Sequence, residues 1–205
     1  MTPNYNLYLV TEESVPMPEL LRIVEEAVKG GVTIVQLREK NSSGKDFYEK
    51  ARKLKELLAS YDVPLIINDR VDVALAVDAD GIHIGQTDLP LLAVRKIVPA
   101  SMIIGISVST VDEAKDAEKY GADYIGVGAA FPTQSKNDAK ILPKGILELI
   151  TNAVTIPAVA IGGIKIENLA EIRNKNIAGV AVVSGIMKAE DPNRAATAFR
   201  KALLN

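Results

Sequence analysis

Short runs rich in valine and isoleucine recur eight times along this chain, and each is followed by a stretch of helical periodicity. The runs cover residues 6–10, 32–38, 64–68, 81–84, 102–107, 123–127, 157–161 and 179–183. The helical patterns follow near 17–29, 43–60, 70–76, 90–96, 111–119, 143–151, 166–174 and 192–203. Strands separated by helices read as a parallel sheet, because consecutive parallel strands need a crossover connection. Eight such units are what a closed (β/α)8 barrel requires. The punctuation agrees with this reading. Pro18 and Pro192 suit first-turn positions, Asp191 suits an N-cap, and Gly30 and Gly31 can stop the first helix. An open doubly wound sheet is the alternative, but it usually has fewer strands. The stretch GVGAAF at 126–131 lacks the third glycine of a dinucleotide fingerprint, so it reads as a strand entering a loop.

With 205 residues the chain has little room beyond the barrel, and a single barrel domain over residues 1–205 is expected. There is no cysteine, which excludes disulfides, thiol nucleophiles and thiolate metal sites and fits a cytoplasmic protein. One histidine, His83, excludes a multi-histidine metal site. A net charge of -2 gives no reason to expect nucleic acid or an anionic membrane surface as partner. No apolar run reaches the ~18 residues of a membrane span. The N-terminal MTPNYNLYLV has no secretory signal pattern. Oligomeric state is not legible at this level.

In a barrel, the loops after the strands build the active site at one mouth. The residues that do not suit a core cluster there. Gln36, Arg38 and Lys40 follow the second strand, on the face of Ile34 if the alternation holds. Asn68, Asp69 and Arg70 follow the third, Gln86 and Asp88 the fourth, and Ser107 ends the fifth. The sixth runs into FPTQSK, residues 131–136, with Thr133, Ser135 and Lys136. Glycine turns AIGGI, 160–164, and VVSGI, 182–186, follow the last two strands. If the eight units are right, Arg38 and Lys40 face the mouth rather than bulk solvent.

Two halves of a site follow. The turns after strands 7 and 8 are where barrels frequently bind phosphate, since small residues let backbone N–H groups approach an anion. The other half sets Asp69 and Asp88 among Arg38, Lys40 and Lys136. Two carboxylates among three cations make little sense for one simple anion. They make sense if the carboxylates hold a hard divalent cation that grips phosphate oxygens, with the cations neutralising the rest. The bland alternative for each aspartate is a helix N-cap. His83, in DGIHIG, reads as a packed, hydrogen-bonded residue, and Tyr5 and Tyr8 carry no assignable role.

In order, QLREK, NDRVDVALAVDADGIHIGQTD, GISVS, ADYIGVGAAFPTQSK, IPAVAIGGI and GVAVVSGI closely resemble the thiamine phosphate synthase family, from about residue 7 to 190. The resemblance implies a (β/α)8 barrel. It implies a transferase that joins a hydroxymethylpyrimidine diphosphate to a thiazole phosphate, giving thiamine phosphate and diphosphate with Mg2+. By the same resemblance, residues Gln36, Leu37, Arg38, Glu39 and Lys40 bind the pyrimidine diphosphate, and Asn68 binds the pyrimidine. Asp69 and Asp88 hold Mg2+, and Ser107 and Lys136 reach the diphosphate. Arg38, Ser107 and Lys136 are then the catalytic set. Thr133, Gln134 and Ser135, with Gly163, Val183 and Ser184, hold the thiazole phosphate. The partners implied are small molecules.

Departures are small. Ala129 and Ala130 stand where the family often has a proline and a branched residue, Ser135 where threonine is common, and Ser109 where histidine is common. A related thiazole tautomerase on the same barrel places a histidine where this chain has Gly128 and loses the metal and diphosphate residues. Retention of Asp69, Asp88 and Lys136 argues against it. A non-catalytic phosphate-binding barrel is the third class to weigh.

Overall fold

A computed structural model describes residues 3–133, 140–173 and 175–204. Eight strands pair in chain order, each parallel to the next, and the eighth closes on the first. They are β1 (Leu7–Val10), β2 (Ile34–Leu37), β3 (Leu65–Asn68), β4 (Gly81–Ile84), β5 (Ile103–Val108), β6 (Tyr124–Gly128), β7 (Ala158–Ile161) and β8 (Gly179–Val182). The closed barrel expected from the eight-fold rhythm is therefore present.

The helices are α1 (Met17–Lys29), α2 (Gly44–Ala59), α3 (Val71–Ala76), α4 (Leu91–Ile97), α5 (Val111–Lys119), α6 (Ile146–Ala153), α7 (Ser184–Met187) and α8 (Pro192–Leu204). No helix among the described residues is long and apolar enough to cross a membrane. α1 buries Leu20, Ile23, Val24, Ala27 and Val28, the i, i+3, i+4 stripe that lays one face of a helix on a sheet. Thr110 and Glu113 cap α5 reciprocally, and Asp191 Oδ1 accepts from Arg194 N at the start of α8. The seventh helical pattern, expected over 166–174, is a 3-10 helix over Ile166–Glu171. α7 was not expected at all, because a single turn carries no periodicity to read.

The strands divide the core into two layers. Leu9, Val35, Leu37, Ile67, Ile82, Ile104, Ile125 and Val182 point outward and pack beneath the helices. Tyr5, Tyr8, Val10, Ile34, Ile66, Tyr124, Val159 and Ala181 point inward and fill the barrel. Two large phenols fit across so narrow an interior only if other inward positions carry nothing. Gly105 pairs with Tyr124 across the β5–β6 ladder, and a Cβ on it would sit 2.1 Å from Tyr124 Cζ. Gly179 lies under Tyr5, with the backbone oxygen of Tyr5 1.8 Å from where a Cβ would be.

Gly105→Ala should accordingly destabilise the fold by roughly 1–3 kcal/mol, the usual cost of overpacking a filled interior. Urea unfolding measures it. An unchanged midpoint would mean that Tyr124 is free to move aside and does not set the interior packing.

Candidate active site

β2 ends at Leu37, and the chain leaves strand geometry there. Up to that point the expected alternation holds. Ile34 is inside the barrel, and Gln36 above it is buried, with Nε2 donating to Tyr8 Oη at 2.8 Å. Beyond it the side chains still fall on the sides that alternation assigns. Leu37 packs in the outer layer, and the Glu39 side chain, fully buried, turns to α2 and pairs with Lys50 at 2.8 Å and with the Ser42 hydroxyl. Neither offers its side chain to the mouth, so any contact they make with a ligand there is through backbone. Arg38 N is held by Thr11 Oγ1 at 3.1 Å, and Lys40 Nζ crosses to the Asp69 carboxylate.

The loop carrying Arg38 and Lys40 is clamped by Glu13, from the loop after β1. Glu13 Oε1 accepts from Asn41 N at 2.6 Å, and Oε2 accepts from Asn41 Nδ2 at 3.0 Å. Sequence reasoning missed Glu13 and Thr11, since nothing in their local surroundings distinguishes them from solvated loop residues.

At the end of β3, Asn68 is 6% exposed and its Nδ2 is a buried donor with no partner among the described residues. Such a group costs free energy unless a ligand accepts from it. Asp69 follows with φ 61, a left-handed value uncommon outside glycine. The bond from Arg70 N to Asn68 O, 2.7 Å, closes a three-residue turn around it, and Asp69 N donates to His83 O at 2.8 Å. That turn throws the carboxylate toward Lys40 and Asp88. Burial raises the Asp69 carboxyl above the usual carboxylate range, and the neighbouring Asp88 carboxylate pushes the same way against the pull of Lys40.

The helix-cap alternative for these two aspartates does not hold. Arg70 occupies the N-cap of α3 and Pro90 that of α4, and neither helix has a side-chain cap. Asp88 Oδ2 instead accepts from Gly85 N at 2.7 Å, which leaves its other oxygen for the mouth. Two carboxylates brought together, with oxygen the only donor atom, suit a hard divalent cation completed by ligand phosphates. Arg70, by contrast, pairs with Asp72 at 2.6 Å and stays out of the cluster.

Ser107 Oγ sits at the top of β5, 2.9 Å from His83 Nε2, and Gln86 Nε2 fixes the Ser107 carbonyl at 2.7 Å. His83 is thus the packed, hydrogen-bonded residue it was read as. Ser109 bonds Glu113 through both its N–H and its hydroxyl, so it belongs to the start of α5.

On the other side, the β7 turn holds Gly162 at φ 98 and Gly163 at φ 61. Ala130 N and Phe131 N donate to Ile161 O and Gly162 O, laying residues 130–131 on that turn. A Cβ at Gly163 would lie 2.3 Å from Pro132 O, so this glycine is required by packing before any anion is considered. Val183 and Ser184 open α7, whose first N–H groups have no partner within the helix. Gln134, Ser135 and Lys136 lie outside the described residues.

The class these features define is a (β/α)8 barrel whose strand ends gather polar and charged side chains at one mouth. The sequence profile described as thiamine monophosphate synthase matches residues 7–186. The chain is 51% identical over 187 residues to the thiamine-phosphate synthase of Methanobrevibacter smithii, covering 91% of this chain and 90% of that one. It is 52% identical over 190 residues to that of Clostridium tetani, covering 92% and 91%. The solved structure of thiamine phosphate pyrophosphorylase from Pyrococcus furiosus superposes with a TM-score of 0.90 at 40% identity, covering 99% of this chain and 97% of that one. The chain belongs to the thiamine monophosphate synthase family.

The carboxylate pair makes a prediction that needs no ligand. Because the folded-state pKa of Asp69 is raised, its ionisation costs stability as pH rises through that value. Asp88→Asn keeps an acceptor for Gly85 N and removes the repulsion. In metal-free buffer near neutrality it should raise stability on the order of 0.5 kcal/mol, the size expected for a partly exposed pair. The gain should shrink as acid protonates Asp69. Thermal melts across pH check this; a loss of stability at every pH would mean that the two carboxylates do not repel.

Proposed function

We propose that this protein is a thiamine-phosphate synthase. It joins 4-amino-2-methyl-5-(diphosphooxymethyl)pyrimidine to 4-methyl-5-(2-phosphoethyl)thiazole and releases inorganic diphosphate. The observation that carries the reading is the meeting of Asp69, Asp88 and Lys40 beside the unpartnered amide of Asn68. A plain phosphate site has no use for paired carboxylates. A diphosphate-releasing site with a divalent cation does. The names of the relatives support the same conclusion.

The roles follow from chemistry and position. Asn68 Nδ2 donates to the pyrimidine. Arg38, Lys40, Ser107 and Lys136 meet the diphosphate, with the backbone of residues 36–40 as its wall. Thr133, Gln134, Ser135, Gly163, Val183 and Ser184 take the thiazole phosphate. Asp69 and Asp88 would hold Mg2+, which neutralises charge on the leaving diphosphate. The bond between the pyrimidine methylene and the diphosphate oxygen breaks first, and its electron pair leaves with the oxygen. The thiazole nitrogen then donates its lone pair to the methylene cation. No protein nucleophile takes part, in keeping with a chain without cysteine. The residues act by stabilising the charge that gathers on the departing oxygens.

With both substrates and Mg2+, the protein should release one diphosphate for each thiamine phosphate formed, and with either substrate alone it should release none. Chelation should stop turnover, and Asp69→Asn should lower it on the order of 10²-fold or more, as loss of a preorganised charge-stabilising group does. Unaltered metal dependence in both Asp69→Asn and Asp88→Asn would remove the aspartates from the metal site.

The two halves should also separate kinetically. Gly163 is unsuitable for the test because any side chain there meets Pro132. Ser184→Ala is suitable, being exposed. It should raise KM for the thiazole phosphate about tenfold, the worth of one hydrogen bond to a charged group, and leave KM for the pyrimidine diphosphate within about twofold. Equal effects on both substrates would remove the division of the mouth.

A further inference from the structure

A chain of hydrogen bonds crosses the barrel interior, and the proposed chemistry uses only its two ends. Gln36 Nε2 donates to Tyr8 Oη at 2.8 Å, Tyr8 Oη lies 2.7 Å from Tyr124 Oη, Tyr124 Oη lies 2.9 Å from His83 Nδ1, and His83 Nε2 lies 2.9 Å from Ser107 Oγ. Tyr8, Tyr124 and His83 are 2%, 1% and 9% exposed, so water does not interrupt it. The inner three residues bind nothing in the synthase reading.

The chain has a direction, because each phenol has one hydrogen. Burial holds both phenols well above their ordinary pKa, so each keeps that hydrogen. Gln36 donates to Tyr8, so the Tyr8 hydrogen goes to Tyr124 and the Tyr124 hydrogen to His83 Nδ1. An imidazole that accepts at Nδ1 carries its hydrogen on Nε2. Nε2 then donates to Ser107 Oγ, and the Ser107 hydrogen is left for the mouth. Turning the Gln36 amide over would reverse every link, with Nδ1 of His83 donating and Ser107 giving its hydrogen to Nε2. Ser107 would then show only lone pairs to a dianionic group beside Arg38 and Lys40. Charge in the mouth and chain direction therefore agree in one polarity only.

We propose that Tyr8, Tyr124 and His83 are positioning residues that fix His83 as its Nε2–H tautomer and so make Ser107 a hydrogen-bond donor to the departing diphosphate. The assignment of Ser107 to the diphosphate rests on the synthase reading; the tautomer does not.

His83 is the only histidine in the chain, so untagged protein labelled with 15N in histidine gives the imidazole signals of this residue alone. Long-range 1H–15N correlation should show Nδ1 unprotonated and Nε2 protonated in the wild type, with that preference weakened in Tyr124→Phe. Kinetics supply the second arm. Tyr124→Phe should lower kcat about tenfold, the effect of one misdirected hydrogen bond, with KM for the thiazole phosphate within about twofold. In a Ser107→Ala background the same change should lower kcat no further, because the donor it orients is gone. An Nδ1–H tautomer or an imidazolium in the wild type overturns the proposal. So do fully additive losses in the double variant, which would mark Tyr124 as packing alone. A wild type with the Nε2–H tautomer and no diphosphate release would instead overturn the synthase reading, so the two failures are read apart.

Discussion

A closed eight-stranded barrel has a fixed interior, and every inward side chain competes for the same small volume. This chain meets that constraint unevenly. Tyr8 and Tyr124 meet across the axis, Tyr5 lies 4.9 Å from the Tyr124 ring, and glycines stand at inward positions 81, 105, 126 and 179. The large and the empty positions are complementary, as a close-packed interior requires. The unusual consequence is that the packing is polar at its centre. Each phenol needs a partner once buried, and the partners available lie at the top of β2, β4 and β5. The interior is thereby tied to the mouth by the same bonds that satisfy it.

The loops above that interior are held from outside the site. Glu13 clamps the loop after β2, Lys50 and Ser42 hold Glu39 beneath it, and Asn168 Nδ2 fixes the carbonyl of Gly163 at 2.9 Å. The buried Glu39 keeps one carboxylate oxygen without a partner, so Lys50 carries the compensation for that charge. Within that loop the Arg38 backbone is held by Thr11 and Lys40 Nζ by Asp69. A cationic loop that was free to move would lose side-chain entropy on meeting an anion; one already held loses less.

The eight strands and the closure were legible because both depend on period and count, which survive without knowledge of tertiary contacts. Strand ends were legible to within a residue or two. The site was legible as a set of residues following strands: Lys40, Asp69 and Asp88 come together next to Asn68, and Ser107 meets His83 at the top of the neighbouring strands. What failed had a physical cause in each case. Glu39 reads as one more charge at the mouth, but its partner Lys50 lies nearly two helical turns into α2. The left-handed turn at Asp69 leaves no mark on a residue type that also suits a cap. Tyr8 and Tyr124 are 116 positions apart, and only the register of strands they do not share brings their hydroxyls together.

Everything proposed for the mouth requires that diphosphate and a divalent cation share the Asp69–Asp88 side of it. Diffraction from crystals soaked in Mn2+ and inorganic diphosphate locates the ion by its anomalous signal. The account predicts one peak coordinated by Asp69 and Asp88 carboxylate oxygens and by diphosphate, with Arg38 and Ser107 on the remaining diphosphate oxygens. A diphosphate bound at the Gly163–Ser184 side, with no peak at the aspartates, would contradict it.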